Sequence, residues 1–289
     1  MKGKSRARWL VALLCVAALA AVQAASASAH TGEWARFNYC PSTETGVAKC
    51  IYSLTTGGEV VLGNKKVPIV NPVTLQGGLS KPTANVRTMY AATNGVTLSK
   101  TPEPVPGGLL GVVPPESSPW LVKQLSKFFF ENSLTGVNAT LELAKPASEI
   151  QLNEINIAYE EGTALRLPVK VHLENPFLGK ECYVGSSSSP LIWNLTTGKS
   201  SPPAGIEAVT GFGGEAEFKE EGKIAQINGA KLVENNWSAP KATGCGGILS
   251  FLVNPIIDAQ IGLPTAAGHN KAVLVTTTDL ATNTAVNSH

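Results

Sequence analysis

Alternation of apolar and polar residues is clearest between Ala164 and Leu173, where Leu165, Leu167, Val169, Val171 and Leu173 interleave with Arg166, Lys170 and His172. A period of two puts successive side chains on opposite faces, so this segment predicts a strand with one buried and one wet face. Pro168 lies within it and has no N–H to donate, which predicts an edge position or a bulge. Shorter runs of strand character recur at 59–62, 67–70, 86–90, 138–143, 191–195, 215–218, 223–227, 231–233 and 271–280. Turn residues such as Gly57-Gly58, Gly63-Asn64, Gly77-Gly78 and Asn94-Gly95 fall between or beside them, a spacing that marks antiparallel β structure. Asn228-Gly229 predicts a hairpin turn between the runs at 223–227 and 231–233.

Two segments follow a helical period instead. Ser118-Pro119 supplies an N-cap and a first-turn proline, and Trp120, Leu121, Leu125, Phe128 and Phe129 then fall largely on one face, which predicts a helix over 118–133. Phe128, Phe129 and Phe130 make it the most aromatic part of the chain. They serve either as core or, with Trp120, as the lining of a site for an apolar ligand. Over 248–261, Leu249, Leu252, Val253, Ile256, Ile257 and Ile261 recur at intervals of three and four, which predicts a second, buried helix stopped by Gly262 and Pro264 and kinked or broken at Pro255. The expected fold is mainly β, a β-sandwich or a partly closed antiparallel barrel, with these two helices. The Pro- and Gly-rich stretch 101–117 is a natural crossover, so residues 30–289 form one mainly-β domain, with two β units joined there as the alternative.

The N-terminus departs from this pattern. Lys2, Lys4, Arg6 and Arg8 precede an apolar run from Trp9 to Val22, and a small-residue stretch then offers cleavage after Ala27 or Ala29. That is the arrangement of a signal peptide over 1–29, and its apolar run falls short of the roughly 20 residues needed to span a bilayer. No transmembrane segment is expected in the mature chain. Removing the leader changes the charge: 23 basic residues less these four leaves 19 against 21 acidic, a formal −2 in place of +2. A near-neutral chain with scattered charge gives no footprint for nucleic acid. Of five cysteines, Cys15 leaves with the leader, and Cys40, Cys50, Cys182 and Cys245 remain. An even number in an exported chain reads as two disulfides. Of three possible pairings, Cys40 with Cys50 and Cys182 with Cys245 is favoured, because the first pair closes a short polar loop.

Patterns that carry chemistry are weak. Ser186 to Ser189 follow Gly185 without a G-x-S-x-G arrangement. The doublets Glu160-Glu161 and Glu220-Glu221 place neighbouring carboxylates on opposite sides of an extended chain, unsuited to a glycosidase pair. No phosphate-cradling glycine loop precedes a helix. Cleavage after Ala29 exposes the amine and imidazole of His30, a start shared with secreted copper oxygenases, with His172 or His269 as partners for Cu(II). A frayed terminus is the simpler reading of that histidine.

The stretches FNYCPSTETGVAKCIYSLTTGGEVVLGNKKVPIVNPVTLQGGL and LPVKVHLENPFLGKECYVGSSSSPLIWNLTTG resemble uncharacterised secreted proteins of actinobacteria, with the similarity extending over most of the mature chain. The resemblance implies a bacterial setting, extracellular or in the cell envelope, and supplies no activity, cofactor or site residue. Two functions follow as expectations. The first is a non-enzymatic structural or binding protein whose partner is an envelope polymer, a protein or a lipid. The second is a carrier of an apolar ligand, in a cavity lined by the aromatic helix.

Overall fold

The structure, a computed structural model, describes residues 29–108, 119, 120, 123 and 136–289. Fourteen strands are defined among them: β1 (Val47–Leu62), β2 (Lys65–Pro68), β3 (Val73–Ser80), β4 (Arg87–Tyr90), β5 (Pro102–Pro104), β6 (Asn138–Leu143), β7 (Gln151–Leu152), β8 (Leu165–Glu174), β9 (Tyr183–Val184), β10 (Leu191–Leu195), β11 (Glu215–Lys219), β12 (Ile224–Glu234), β13 (Ala242–Thr243) and β14 (Lys271–Thr282). Every pairing between them is antiparallel, so the chain is mainly β as expected. The strands form one non-closed sheet in the order β11-β12-β14-β1-β3-β4-β7-β8-β6-β5, with β10 and β9 also on β8 and β2 on β1. Its ends approach each other where Thr196, just past β10, bridges Val233 of β12 by two backbone hydrogen bonds of 3.0 and 2.8 Å.

β1 is far longer than the expected run at 59–62. It passes through Gly57-Gly58 without turning: the register with β14 shifts between Thr55 and Gly57, and Gly58 has φ +112°, where a Cβ would collide with the Val273 carbonyl. Asn228-Gly229 likewise is no hairpin. It lies inside β12 as a bulge, where the register with β14 shifts between Ile227 and Ala230, and the hairpin partner of β12 is β11, across Glu220–Gly222. Turn and bulge both use glycine at positive φ, so the same dipeptide serves either.

β8 is an interior strand, not an edge, with β6 and β7 on one side and β9 and β10 on the other. Pro168 is tolerated because its carbonyl accepts from Ala144 on the β6 side, so its missing N–H faces the same way, into the gap between β6 and β7. The inward residues of β8 join the main core with Trp193 and Trp237, whose rings meet at 5.7 Å. A smaller core gathers Trp34, Phe37, Ile224 and Val286 around the Cys40–Cys50 bridge. The second bridge is Cys182–Cys245, so both pairs are the favoured ones. Two buried disulfides mark a chain that matures in an oxidising compartment.

Only Pro119, Trp120 and Lys123 of the helix expected over 118–133 are described. Lys123 donates to the Pro119 carbonyl at 3.2 Å, one turn of helix at the expected start. The second helix, Ser250–Ile261, ends at Gly262 in the left-handed region and runs through Pro255 unbroken. It is not buried as expected: Ile257 and Ile261 face the core, whereas Phe251, Leu252 and Ile256, with Ile248 and Leu249 just before, are exposed. Among the described residues no helix is long and apolar enough to cross a membrane.

Candidate functional site

The inward faces of the two halves of the sheet do not meet everywhere. Between them lies a cavity of about 130 Å³ open to the centre of a water molecule, where one water needs only about 10–15 Å³. One wall consists of Val60 and Leu62 of β1, Val67 of β2, Val73 and Leu75 of β3, and Leu274 of β14. The facing wall is Ala139 and Leu141 of β6 with Leu165, Leu167, Val171 and Leu173 of β8. Alternation explains both: each strand turns every second residue inward, and those residues are apolar. Water has few partners on such a surface, so the space favours an apolar occupant.

Polar groups on the wall are few. The hydroxyls of Ser53, Thr55 and Thr276 sit along β1 and β14, and Ser53 is bonded to Thr278 at 2.8 Å. Glu103 is buried and its carboxylate accepts the backbone N–H groups of Val70 (3.0 Å) and Asn71 (3.1 Å). The Thr101 hydroxyl donates to the Pro72 carbonyl at 3.1 Å, and among the described residues the other polar groups are Lys65 and Gln260, near the junction of the β1–β2 turn with the helix, where Asn64 donates to the Ile261 carbonyl at 2.6 Å. The helix thereby forms part of the wall through Ile257, Gln260 and Ile261. Its other end is tied down by Cys245, whose backbone N–H donates to the Asn254 side chain at 2.9 Å.

No known family, curated protein or solved structure matches this chain. The site must therefore be read from its own residues.

Phe128, Phe129 and Phe130 lie outside the described residues, and Trp120 is exposed and not part of the described wall. The cavity is instead built by strand residues that sequence reading assigns to ordinary core. A signal in the sequence is Lys65, which shares the inward face of β2 with Val67 and, just past the strand, Ile69, where an apolar residue is expected. The other candidates stand apart. Ser186 bonds Ser188 (3.0 Å) and the Ser189 backbone N–H (3.0 Å) in an exposed turn. Glu160 ends the short helix Glu154–Tyr159 in the left-handed region, and its carboxylate accepts from the Gly213 backbone N–H. The backbone N–H of His30 donates to Asn38 at 2.7 Å, while His172 stacks on Tyr183 at 4.5 Å and faces Glu174 at 3.5 Å. Among the described residues no three His, Cys, Asp or Glu side chains cluster to hold a metal.

Titratable groups that do not line the cavity set the pH response. Glu59 takes Lys271 (2.6 Å) and Lys66, whose hydrogen bonds hold its carboxyl below the ordinary value. For Glu142 burial works upward, but hydrogen bonds from Lys100 (3.1 Å) and Lys170 (3.2 Å) outweigh it, and the carboxyl is again lowered. Glu234 is opposite: burial pushes its carboxyl up against the backbone N–H groups of Asn236, Asn235 and Asn194. A lowered carboxyl contributes stability above its unfolded pKa and loses it as pH falls through the folded value. A raised one contributes below its unfolded pKa and loses it as pH rises. Relative to the parent, Glu234→Gln should therefore gain stability as pH is raised from about 4 to about 7, and Glu59→Gln should lose it. Urea titrations at the two pH values check the opposed signs.

Proposed function

We propose that the mature chain is an exported, non-enzymatic carrier of an apolar ligand, held between the two halves of the sheet. The observation that carries this reading is the apolar cavity of about 130 Å³, which a protein serving only as a scaffold has no reason to keep. Apolar space left open among the described residues costs stability, roughly 24 cal/mol per Å³ in engineered core cavities, so its retention favours a carrier over the structural role placed first from sequence. The disulfides, the basic and apolar leader and the resemblance to secreted actinobacterial proteins support an extracellular or envelope location.

The reading is tested on protein recovered from the exported fraction of an actinobacterial host. Organic extraction followed by mass spectrometry should recover one class of long-chain molecule at near-stoichiometric yield. Intact mass should place the mature terminus after Ala27 or Ala29. Extracts indistinguishable from those of an unrelated exported protein would remove the carrier reading.

A further inference from the structure

Among the described residues, the cavity wall has two titratable side chains, Lys65 and Glu103. They differ in one respect. The Glu103 carboxylate is engaged by the Val70 and Asn71 backbone N–H groups beyond the far end of β2. Lys65, at the start of β2, has no acceptor for its ammonium among the described residues. Its neighbours show that this is a matter of direction. Lys66 points to the outer face and pairs with Glu59, which also binds Lys271 at 2.6 Å, so two lysines share one carboxylate outside while Lys65 turns inward without one.

A half-buried ammonium on an apolar wall is a cost unless something pairs with it. Burial indeed pushes the Lys65 ammonium below the ordinary lysine value. The same place offers a second donor. Gln260 lies exposed on the last turn of the Ser250–Ile261 helix, and the Asn64 to Ile261 hydrogen bond holds that turn against the β1–β2 loop from which Lys65 emerges. One cation and one amide thus stand at the edge of a cavity whose remaining wall, among the described residues, is mostly apolar.

We propose that the ligand is an anionic amphiphile, one hydrocarbon chain lying between the sheet halves and its carboxylate or phosphate head paired with Lys65, with Gln260 as second donor. This rests on the carrier reading and specifies its ligand class. The ammonium forms a charge-assisted hydrogen bond to a head-group oxygen, and the chain replaces empty apolar volume.

The test compares cis-parinaric acid with its methyl ester by fluorescence titration of the delipidated protein, because the two share a chain and differ in charge. The acid should bind roughly 5- to 20-fold more tightly than the ester, the range of one partly screened ion pair. Lys65→Met should abolish the preference, so that acid and ester bind alike, and Lys65→Arg should keep it. Displacement by dodecyl phosphate below the concentration needed of dodecanoate identifies a phosphate head, and the reverse order a carboxylate. Equal binding of acid and ester, or a preference that survives in Lys65→Met, overturns the head-group assignment alone. Binding of neither probe removes the carrier reading and the assignment with it.

Discussion

Replacing Cys182 and Cys245 together by alanine is expected to lower the unfolding free energy by about 4 kcal/mol, against about 3 kcal/mol for Cys40 and Cys50. The bridges join residues 63 and 10 positions apart, and the longer loop gains more freedom in the unfolded chain when its bridge is lost. Location adds a second effect. Cys182 adjoins β9 and Cys245 precedes the Ser250–Ile261 helix, so this bridge pins the helix whose inner face closes part of the cavity. Loss of the Cys182–Cys245 bridge should therefore weaken binding of an apolar probe, whereas loss of the Cys40–Cys50 bridge, in the smaller core, should lower stability with little change in binding. Urea denaturation and probe titration of the two double variants separate these outcomes. Equal effects on binding would disconnect the helix from the site.

Ala139→Trp is expected to weaken binding of N-phenyl-1-naphthylamine at least roughly 100-fold, about 2.7 kcal/mol, while changing stability by less than about 2 kcal/mol. Ala139 is on β6 opposite Leu173 of β8, and both line the cavity. An indole there enters space that the described residues leave open, so it displaces ligand without forcing the packed parts of the core to move. Asn138, its neighbour in β6, is exposed, and Asn138→Trp supplies the control: same strand, same added side chain, opposite face. Its binding should match the parent protein. A loss shared by both variants would point to damage of β6 rather than to occupation of the cavity.

Much of the fold was legible. Runs at 138–143 and 191–195 coincide with β6 and β10, and the alternation at 164–173 finds β8, because side chains that alternate between core and outer face leave a period of two in the sequence. Gly262 stops its helix where a left-handed cap requires. The errors have physical causes. Gly57-Gly58 and Asn228-Gly229 are bulges, which use the same backbone freedom as turns. Pro168 sits inside the sheet because a gap between neighbouring strands spares its missing donor. The helix over 250–261 exposes Phe251, Leu252 and Ile256, since spacing identifies an apolar face without saying what covers it. The cavity was invisible for a related reason: Val60, Leu141, Leu173 and Leu274 are far apart in the chain, and core and cavity wall call for the same residues. Lys65 and Glu103, charged residues on an otherwise apolar wall, are the departures from that pattern among the described residues.

The most direct test of the carrier reading is a crystal structure of the protein soaked with 12-bromododecan-1-ol, an uncharged chain whose binding does not depend on Lys65. The expected anomalous bromine peak lies between the two halves of the sheet, within contact distance of Leu141 and Leu173. A bromine on the exposed face of the Ser250–Ile261 helix, or a cavity left without ligand density at saturating concentration, would contradict it.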